Sequence, residues 1–546
     1  MLALCLGALA ARPFLEREIR ERIEAEAARR GLVVRIDAVH LGLWPLLRLT
    51  RVTLPITGKC GLTADSVEAW WSGRPRLLVK RAVLRAPAGL TVAAESTTWD
   101  VLSLARDDFR VALGQPHAAL LLSRTAGSHD ENTWVVKASD LPVGRLFDVR
   151  RFDRPLLDSG TIRGSLTLKT SAERIRFDLD LAARSARLPA LAEDKSKSPA
   201  LGQPTDVAGH IAGLWKRSEG ALDVPQWSVT VDGAALSGVL VLHDLDTDPL
   251  LDLSLDVQRL DFARLLRTWG LEMPENPGSR TAAGSADDLG SASLAARARG
   301  RLSDPASFVV TQKLDFKPPR HMTPAIERLR GDFVNEVARA SGGSRVIEVS
   351  PSSPDFIPLA DVPPLFLRAL LLAEDAGFYG HPGIDLREVP AALLADWARG
   401  GAARGASTIT QQLAKNLFLS REKHLGRKLQ ELSLTFLLES ALGKNRILEI
   451  YLNVIEWGPG LFGLRPAARA YFDREPRELT PAQMTFLVSL IPGPVKYQRS
   501  FAHGTPGPGL RRLMDALLAK LRSVDALTEE EYRQALDEEV VVQGRS

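Results

Sequence analysis

Leu365-Phe366-Leu367-Arg368-Ala369-Leu370-Leu371-Leu372-Ala373-Glu374-Asp375 is an apolar run, broken by one arginine, that ends on two adjacent carboxylates. Its spacing predicts a helix. Glu374 and Asp375 then fall at the end of a greasy helix, where partial desolvation raises a carboxylate's pKa and suits it to general-base work near neutrality. Taken alone, a solvated helix end explains the pair better. Phe378, His381 and Gly383 follow within the next few residues.

The helical pattern continues beyond this run. Apolar residues recur at helical spacing over 386–399, 409–419, 425–442 and 447–452. Thr408-Ile409-Thr410-Gln411, Thr480-Pro481-Ala482-Gln483 and Thr528-Glu529-Glu530-Glu531 each spell a capping box, in which hydroxyl and carboxamide or carboxylate satisfy exposed helix amides. Pro481 also suits the first helical position. Three polar clusters are left over by this periodicity. Gly405-Ala406-Ser407-Thr408-Ile409-Thr410-Gln411-Gln412 is a tight turn into a helix, with Lys415 and Asn416 one turn on. Free amides and hydroxyls at a helix start suit a phosphate, although a well-capped helix accounts for them without a ligand. Arg427, Lys428 and Glu431 share one helical face, in isolation a surface ion-pair set. Glu449 and Asn453 share the next, inside Lys444-Asn445-Arg446-Ile447-Leu448-Glu449-Ile450-Tyr451-Leu452-Asn453.

In this order and spacing the clusters together resemble the family-51 glycosyltransferases, the peptidoglycan polymerase domains of class A penicillin-binding proteins and monofunctional transglycosylases. The matching signatures are Glu-Asp-x-x-Phe-x-x-His-x-Gly at 374–383, Gly-x-Ser-Thr-Ile-Thr-Gln-Gln at 405–412, Arg-Lys-x-x-Glu at 427–431 and Lys-x-x-Ile-Leu-Glu-x-Tyr-Leu-Asn at 444–453. Residues 458–463, 467–472 and 490–494 fit as well. Departures are Ala406, where the family often has a second glycine, and Trp457, where it often has phenylalanine. The resemblance implies a mainly helical, lysozyme-like domain over 355–505 that polymerises lipid II with inversion and releases polyprenyl diphosphate. It implies Glu374 as the catalytic base and Glu431 as a second catalytic carboxylate that orients cations or helps hold a divalent metal (Mg or Mn). Lys415, Arg427 and Lys428 would stabilise the diphosphate. Ser407, Thr408, Gln411 and Gln412 would line the donor site, with Asp375, Phe378, His381, Asn416, Glu449 and Asn453 as further substrate-binding residues. Residues 404–451 carry eight basic and four acidic side chains, a surplus suited to a diphosphate and to anionic headgroups. The stretch 389–403, with Leu393, Leu394, Trp397 and Arg399, reads either as a membrane-facing segment or as an amphipathic helix packed on the core.

Toward the N-terminus the texture changes to period-two alternation, as in Ile162-Arg163-Gly164-Ser165-Leu166-Thr167-Leu168, in 175–181, 227–231 and 251–257. Such runs predict strands with one apolar and one polar face. A helix over 14–30 precedes them, and Asp261-Phe262-Ala263-Arg264-Leu265-Leu266 reads as a short helix among them. Val34-Arg35-Ile36-Asp37-Ala38-Val39, Leu41-Gly42-Leu43-Trp44-Pro45, Leu49-Thr50-Arg51-Val52 and repeated Gly-x-Leu strand starts resemble AsmA-like envelope proteins. That likeness implies an apolar sheet face offered to lipid, or a spacer. The expected fold class is therefore α+β multidomain: a β-rich AsmA-like region over 13–316, with loops near 192–205 and 275–288, a linker over 317–354, the transferase domain over 355–505 and C-terminal helices over 506–546.

Composition is that of a folded protein, with 45% hydrophobic and 25% charged residues and a net charge of +4, too small for a general nucleic-acid binder. Cys5 and Cys60 allow at most one disulfide and no metal cluster; no organic cofactor is expected. The apolar run 1–11 is about half of a roughly 20-residue span, and 1–12 is read as a partial membrane anchor whose start was lost to a misassigned initiator. The expected partners are lipid II, the growing lipid-linked glycan, the membrane and other cell-wall or envelope proteins. The expected place is the inner membrane of a Gram-negative bacterium, with the catalytic domain on the periplasmic side. Too few residues follow Phe501 for a transpeptidase domain, and no Lys-Thr-Gly occurs, so a monofunctional enzyme is expected. Two other readings stay open: a lysozyme-like glycan-cleaving enzyme, and a lipid-handling or scaffold protein with a vestigial transferase domain.

Overall fold

The computed structural model describes residues 2–543 except 30–32, 42–45, 58–59, 72–74, 86–89, 106–107, 114–118, 127–130, 144–147, 152–153, 156–158, 188–203, 269–270, 272, 274–287, 339–343, 389–406, 420–424 and 502. Most of the two expected loops and all of the 389–403 stretch thus lie outside the described residues. Helix α1 (Leu2–Arg29) joins the apolar run 1–11 and the expected helix over 14–30 into one element that contains Pro13. Among the described residues no helix is long and apolar enough to cross a membrane.

An antiparallel meander follows. Its strands are β1 (Arg35–Leu41), β2 (Leu47–Thr57), β3 (Cys60–Trp71), β4 (Pro75–Arg85), β5 (Leu90–Ala105), β6 (Asp108–Leu113), β7 (Ala119–Ala126) and β8 (Asn132–Val143), each paired with the one before. The short β9 (Asp148–Arg151) pairs back on the start of β5, and β10 (Arg154–Pro155) pairs on β9. β11 (Ser159–Thr170) returns to β8, and the meander resumes through β12 (Arg174–Arg187), β13 (Thr205–Lys216), β14 (Ala221–Val231), β15 (Ala234–His243), β16 (Leu250–Asp261), β17 (Ser291–Arg301) and β18 (Val309–Lys317).

Register carries the period-two pattern across strands. Leu166 pairs with Leu179, Leu179 with Ile211, and Ile211 with Trp227; Leu240 pairs with Leu253, and Leu253 with Ala298. One face is therefore apolar, and Leu181, Trp215 and Val229 on it remain exposed. The other carries Asp180, His210, Ser228, Ser237 and Asp256 in successive strands. Glycines inside these strands make room for aromatic rings: a Cβ on Gly238 would lie 2.8 Å from the Trp227 ring and 2.0 Å from the Ser254 carbonyl.

The last strand docks on the helical region. Phe316 of β18 stacks on Phe436 at 5.2 Å between centroids, and Phe262 of α2 (Phe262–Thr268) lies 5.4 Å from the same ring. Gln312 donates to the Ile384 carbonyl and accepts from the Leu386 amide. One continuous core then extends from Phe262 to Val542. It includes Ile326, Leu329, Phe333 and Val349, so 317–354 is not a linker: it folds as a turn and a hairpin, β19 (Phe333–Ala338) with β20 (Ser344–Val349).

The helices that matter to the site are α3 (Pro364–Glu374), α4 (Ile409–Phe418), α5 (Leu425–Ala441), α6 (Lys444–Val454), α7 (Leu464–Phe472), α8 (Pro481–Leu490), α9 (Pro508–Ser523) and α10 (Glu529–Asp537). All three predicted capping boxes form, at Thr408, Thr480 and Thr528. α9 packs on both α3 and α8, so the segment after 505 belongs to the same core.

Candidate active site

Glu374 is the last residue of α3, whose Phe366, Ala369 and Leu370 are buried against the core. Asp375 leaves the helix at φ −166°, extended backbone, and turns its side chain inward. One of its oxygens lies 2.8 Å from His381 Nε2 and the other accepts the Ile409 amide at 3.0 Å. The Gly383 amide donates to His381 Nδ1, so the proton of the neutral ring sits on Nε2 and points at the carboxylate. Thr408 closes the circuit by donating to the Gly383 carbonyl at 2.6 Å. Gly383 has φ +93°, and a Cβ there would meet Thr435 at 2.7 Å and Glu439 at 2.8 Å. Asp375 thus ties the end of α3 to the start of α4.

This tie brings Gln412 onto Glu374. Gln412 Nε2 donates to Glu374 Oε2 at 2.8 Å, and the Tyr451 hydroxyl donates to Gln412 Oε1 at 3.0 Å. On α5, Glu431 is buried and divides its oxygens between two cations: Arg427 at 2.9 Å and Lys428 through a short contact. Lys428 also donates to Ser407 at 3.2 Å. Lys415 lies among these charges. Burial is the chief cause that lowers its pKa; Glu431 opposes the shift, Arg427 and Lys428 add to it, and Glu374 opposes it. The base candidate and the cation cluster therefore belong to one electrostatic neighbourhood.

Several predicted substrate-binding residues are occupied otherwise. Asp375 and His381 have 3% and 1% of their side chains exposed, too little to meet a sugar. Phe378 is buried under the Lys444 ammonium, 4.5 Å from the ring centre. Thr408 and Gln411 spend their side chains on the capping box. Asn453 holds the Ile357 amide and carbonyl, both at 2.9 Å, and Glu449 accepts from the Leu359 amide and from Arg446. For the polar ones the cause is shared: a polar side chain in a core is claimed by backbone groups that need partners. Ser407, Gln412, Lys415, Arg427, Lys428 and Glu431 do converge; Asn416 is half-buried beside Lys415; Gly405 lies outside the described residues. Glu439, with Thr410 and Lys444 bound to it, and Tyr451 were not singled out. A tyrosine on a buried helix face needs a partner for its hydroxyl, and that was the missed signal. Lys444 and Arg446 pair with Glu439 and Glu449, so the basic surplus of 404–451 is carried by its other basic residues.

Glu431 does not suit a divalent metal. Both its oxygens hold cations, and among the described residues the one His/Asp/Glu group with donors close enough for an ion is Asp178, Asp180 and His210 on the sheet. Cavities of about 290 and 370 Å³ likewise sit on the sheet and α2, lined by none of the residues around Glu374.

The transglycosylase family model matches residues 343–513. A biosynthetic peptidoglycan transglycosylase of Nitrobacter winogradskyi is 40% identical over 185 residues, which is 33% of this chain and 78% of that protein. The chain belongs to this family. Namesakes from Azoarcus sp. and Nitrosomonas eutropha are 44% and 51% identical over 28% and 24% of this chain and 64% and 53% of theirs. Among solved structures, penicillin-binding protein 1A from Haemophilus influenzae aligns at 21% identity over 39% of this chain and 22% of that one, with a TM-score of 0.21. The transglycosylase match covers every residue around Glu374 named above. It also covers Trp457, which is fully buried, 6.0 Å from the Phe366 ring behind α3.

In this transglycosylase, Asp375→Asn should lower stability by about 1–3 kcal/mol. An asparagine oxygen cannot serve both the Ile409 amide and His381, and its amide would face one of those donors. A thermal melt of the purified chain checks this.

Proposed function

We infer that this chain is a peptidoglycan glycosyltransferase that polymerises lipid II. One observation carries the reading: the carboxylate of Glu374, bonded to Gln412, shares its surroundings with Lys415 and the Arg427–Lys428–Glu431 cluster. Glu374 would take the proton of the acceptor sugar's 4-hydroxyl. That oxygen would bond to the anomeric carbon of the lipid-linked glycan from the face opposite the diphosphate. The bond from that carbon to the diphosphate oxygen breaks, the configuration inverts, and polyprenyl diphosphate leaves. Charge builds on the leaving group, so preplaced cations should supply most of the stabilisation. Arg427 can hold the diphosphate in a two-pronged way, while Lys415 and Lys428 act as compact charges. Glu431 keeps those side chains oriented, and no step passes through a metal. A glycan-cleaving enzyme needs no such cluster, which counts against that reading.

The β-rich region reads best as an AsmA-like spacer or lipid-facing sheet, and its exposed Leu181, Trp215 and Val229 support the apolar face. The setting proposed is the inner membrane of a Gram-negative envelope, with the catalytic domain on the periplasmic side. Purified full-length chain incubated with labelled lipid II should give long glycan strands, and moenomycin should block them. Absence of polymer from active-grade lipid II in detergent or vesicles would sink the reading.

Lys415 provides a pH signature. Its pKa is lowered by burial, so its charge, and the grip on a diphosphate, is complete below that lowered value and fades as pH rises through it, earlier than for an ordinary lysine. Bound diphosphate pulls the pKa back up, so binding takes up a proton in the window between the two values. Calorimetry of a short prenyl diphosphate in buffers of different ionisation heats should show that uptake at alkaline pH. Lys415→Arg should abolish it.

A further inference from the structure

We propose that Tyr451 is a positioning residue for this reaction: its hydroxyl fixes the Gln412 carboxamide so that the N–H edge, not the carbonyl, faces Glu374. Resting on the polymerase reading for what the base does, this names the group that keeps the base ready. A carboxylate only accepts, so Gln412 must present nitrogen to Glu374, at 2.8 Å. Its oxygen is then directed back at the Tyr451 hydroxyl, 3.0 Å away, which must donate. An amide can turn over and exchange its two ends. What makes one orientation win is a donor on the far side that cannot become an acceptor-only group.

Tyr451 meets that requirement. It is fully buried, and burial first, then the Glu374 and Asp375 charges, hold its phenol well above the ordinary range, so it keeps its proton at any working pH. Asp375 does not compete for the hydroxyl, since its oxygens serve His381 and Ile409. Among the described residues, the charged groups around Glu374 include Asp375 on its own helix end, Lys415 on α4 and, across Lys415, Arg427, Lys428 and Glu431 on α5. None of them supplies what the Gln412 oxygen needs, a neutral donor on its far side.

Tyr451→Phe keeps the ring that the core requires and removes the donor alone. The amide can then turn its oxygen toward Glu374, which favours the protonated acid. The experiment uses the full-length chain with ¹³C-labelled glutamate carboxyls, the Glu374 signal being assigned by its loss in Glu374→Gln. In Tyr451→Phe the Glu374 midpoint should rise by roughly half a unit to one unit. The acidic limb of the kcat profile should move with it while KM is unchanged. Gln412→Met, which leaves Tyr451 in place, should raise the midpoint as well, and adding Tyr451→Phe to it should change nothing more. A midpoint in Tyr451→Phe equal to the parent's, or shifts that simply add in the double variant, overturns the proposal. The titration does not depend on turnover, so a chain that fails to elongate lipid II removes the polymerase reading while leaving the orientation of Gln412 decided.

Discussion

Glu374→Gln should cut the rate of lipid II polymerisation by roughly 10²- to 10⁴-fold, the range spanned by loss of a positioned general base, while the protein folds normally. The size follows from what the substitution removes. The amide that replaces the carboxylate has the same shape, and it can still turn an oxygen toward Gln412 Nε2, so the 2.8 Å contact survives. What is lost is the ability to take a proton from the acceptor hydroxyl, and with it the negative charge that counters the burial of Lys415. Lys415 should therefore lose its proton at still lower pH in the variant, so the diphosphate grip should weaken on the alkaline side as well. Single-turnover assays with labelled lipid II separate the two, since the first is a loss in kcat at every pH and the second a pH-dependent loss in binding. Polymerisation at the parent rate by purified Glu374→Gln would remove Glu374 from the role of base.

Ending the chain at residue 507 should abolish the folded helical domain altogether. α9 buries Leu510, Met514, Leu517, Leu518 and Leu521, and packs on α3, which carries Glu374, and on α8. Each such side chain is worth about 2–5 kcal/mol when deleted from a core, and five of them together outweigh the roughly 5–15 kcal/mol that holds a domain folded. The last residues add backbone ties: the Val542 amide donates to the Gly504 carbonyl at 2.7 Å, and the Gln543 amide to the Tyr471 carbonyl at 2.9 Å. Arg511 bonds the Leu536 and Glu538 carbonyls, locking α10 onto α9. The truncated protein should lose cooperative thermal unfolding above residue 317 and all polymerase activity. Recovery of a cooperatively folded, active chain ending at 507 would show that the core closes without α9.

The sequence by itself determined a great deal. Helical spacing located α3, α4, α5 and α6 to within a residue or two or, for α6, a few residues at its ends, because each must bury one apolar stripe. The three capping boxes formed as spelled, since a threonine three residues before Gln or Glu satisfies backbone amides locally and needs nothing distant. Strand alternation placed one apolar face on the sheet for a similarly local reason. The family resemblance pointed to Glu374 and to the Lys415, Arg427, Lys428 and Glu431 cluster, and the fold sets them in one electrostatic neighbourhood. Only the tertiary structure decided which polar residues face a substrate and which serve the core. Asp375, Thr408, Glu449 and Asn453 carry the same chemistry as ligand-binding groups, yet each is claimed by a backbone group from a remote segment, while Gln411 is spent on its own helix cap and His381 on nearby Gly383 and Asp375. The fate of 317–354 and 506–546 was decided in the same way, because a short amphipathic segment reads alike whether it is solvated or buried until its neighbours are known. Hydrogen-bond partners far apart in the chain leave no periodic trace in it, and neither does the choice between core and surface for a single polar side chain.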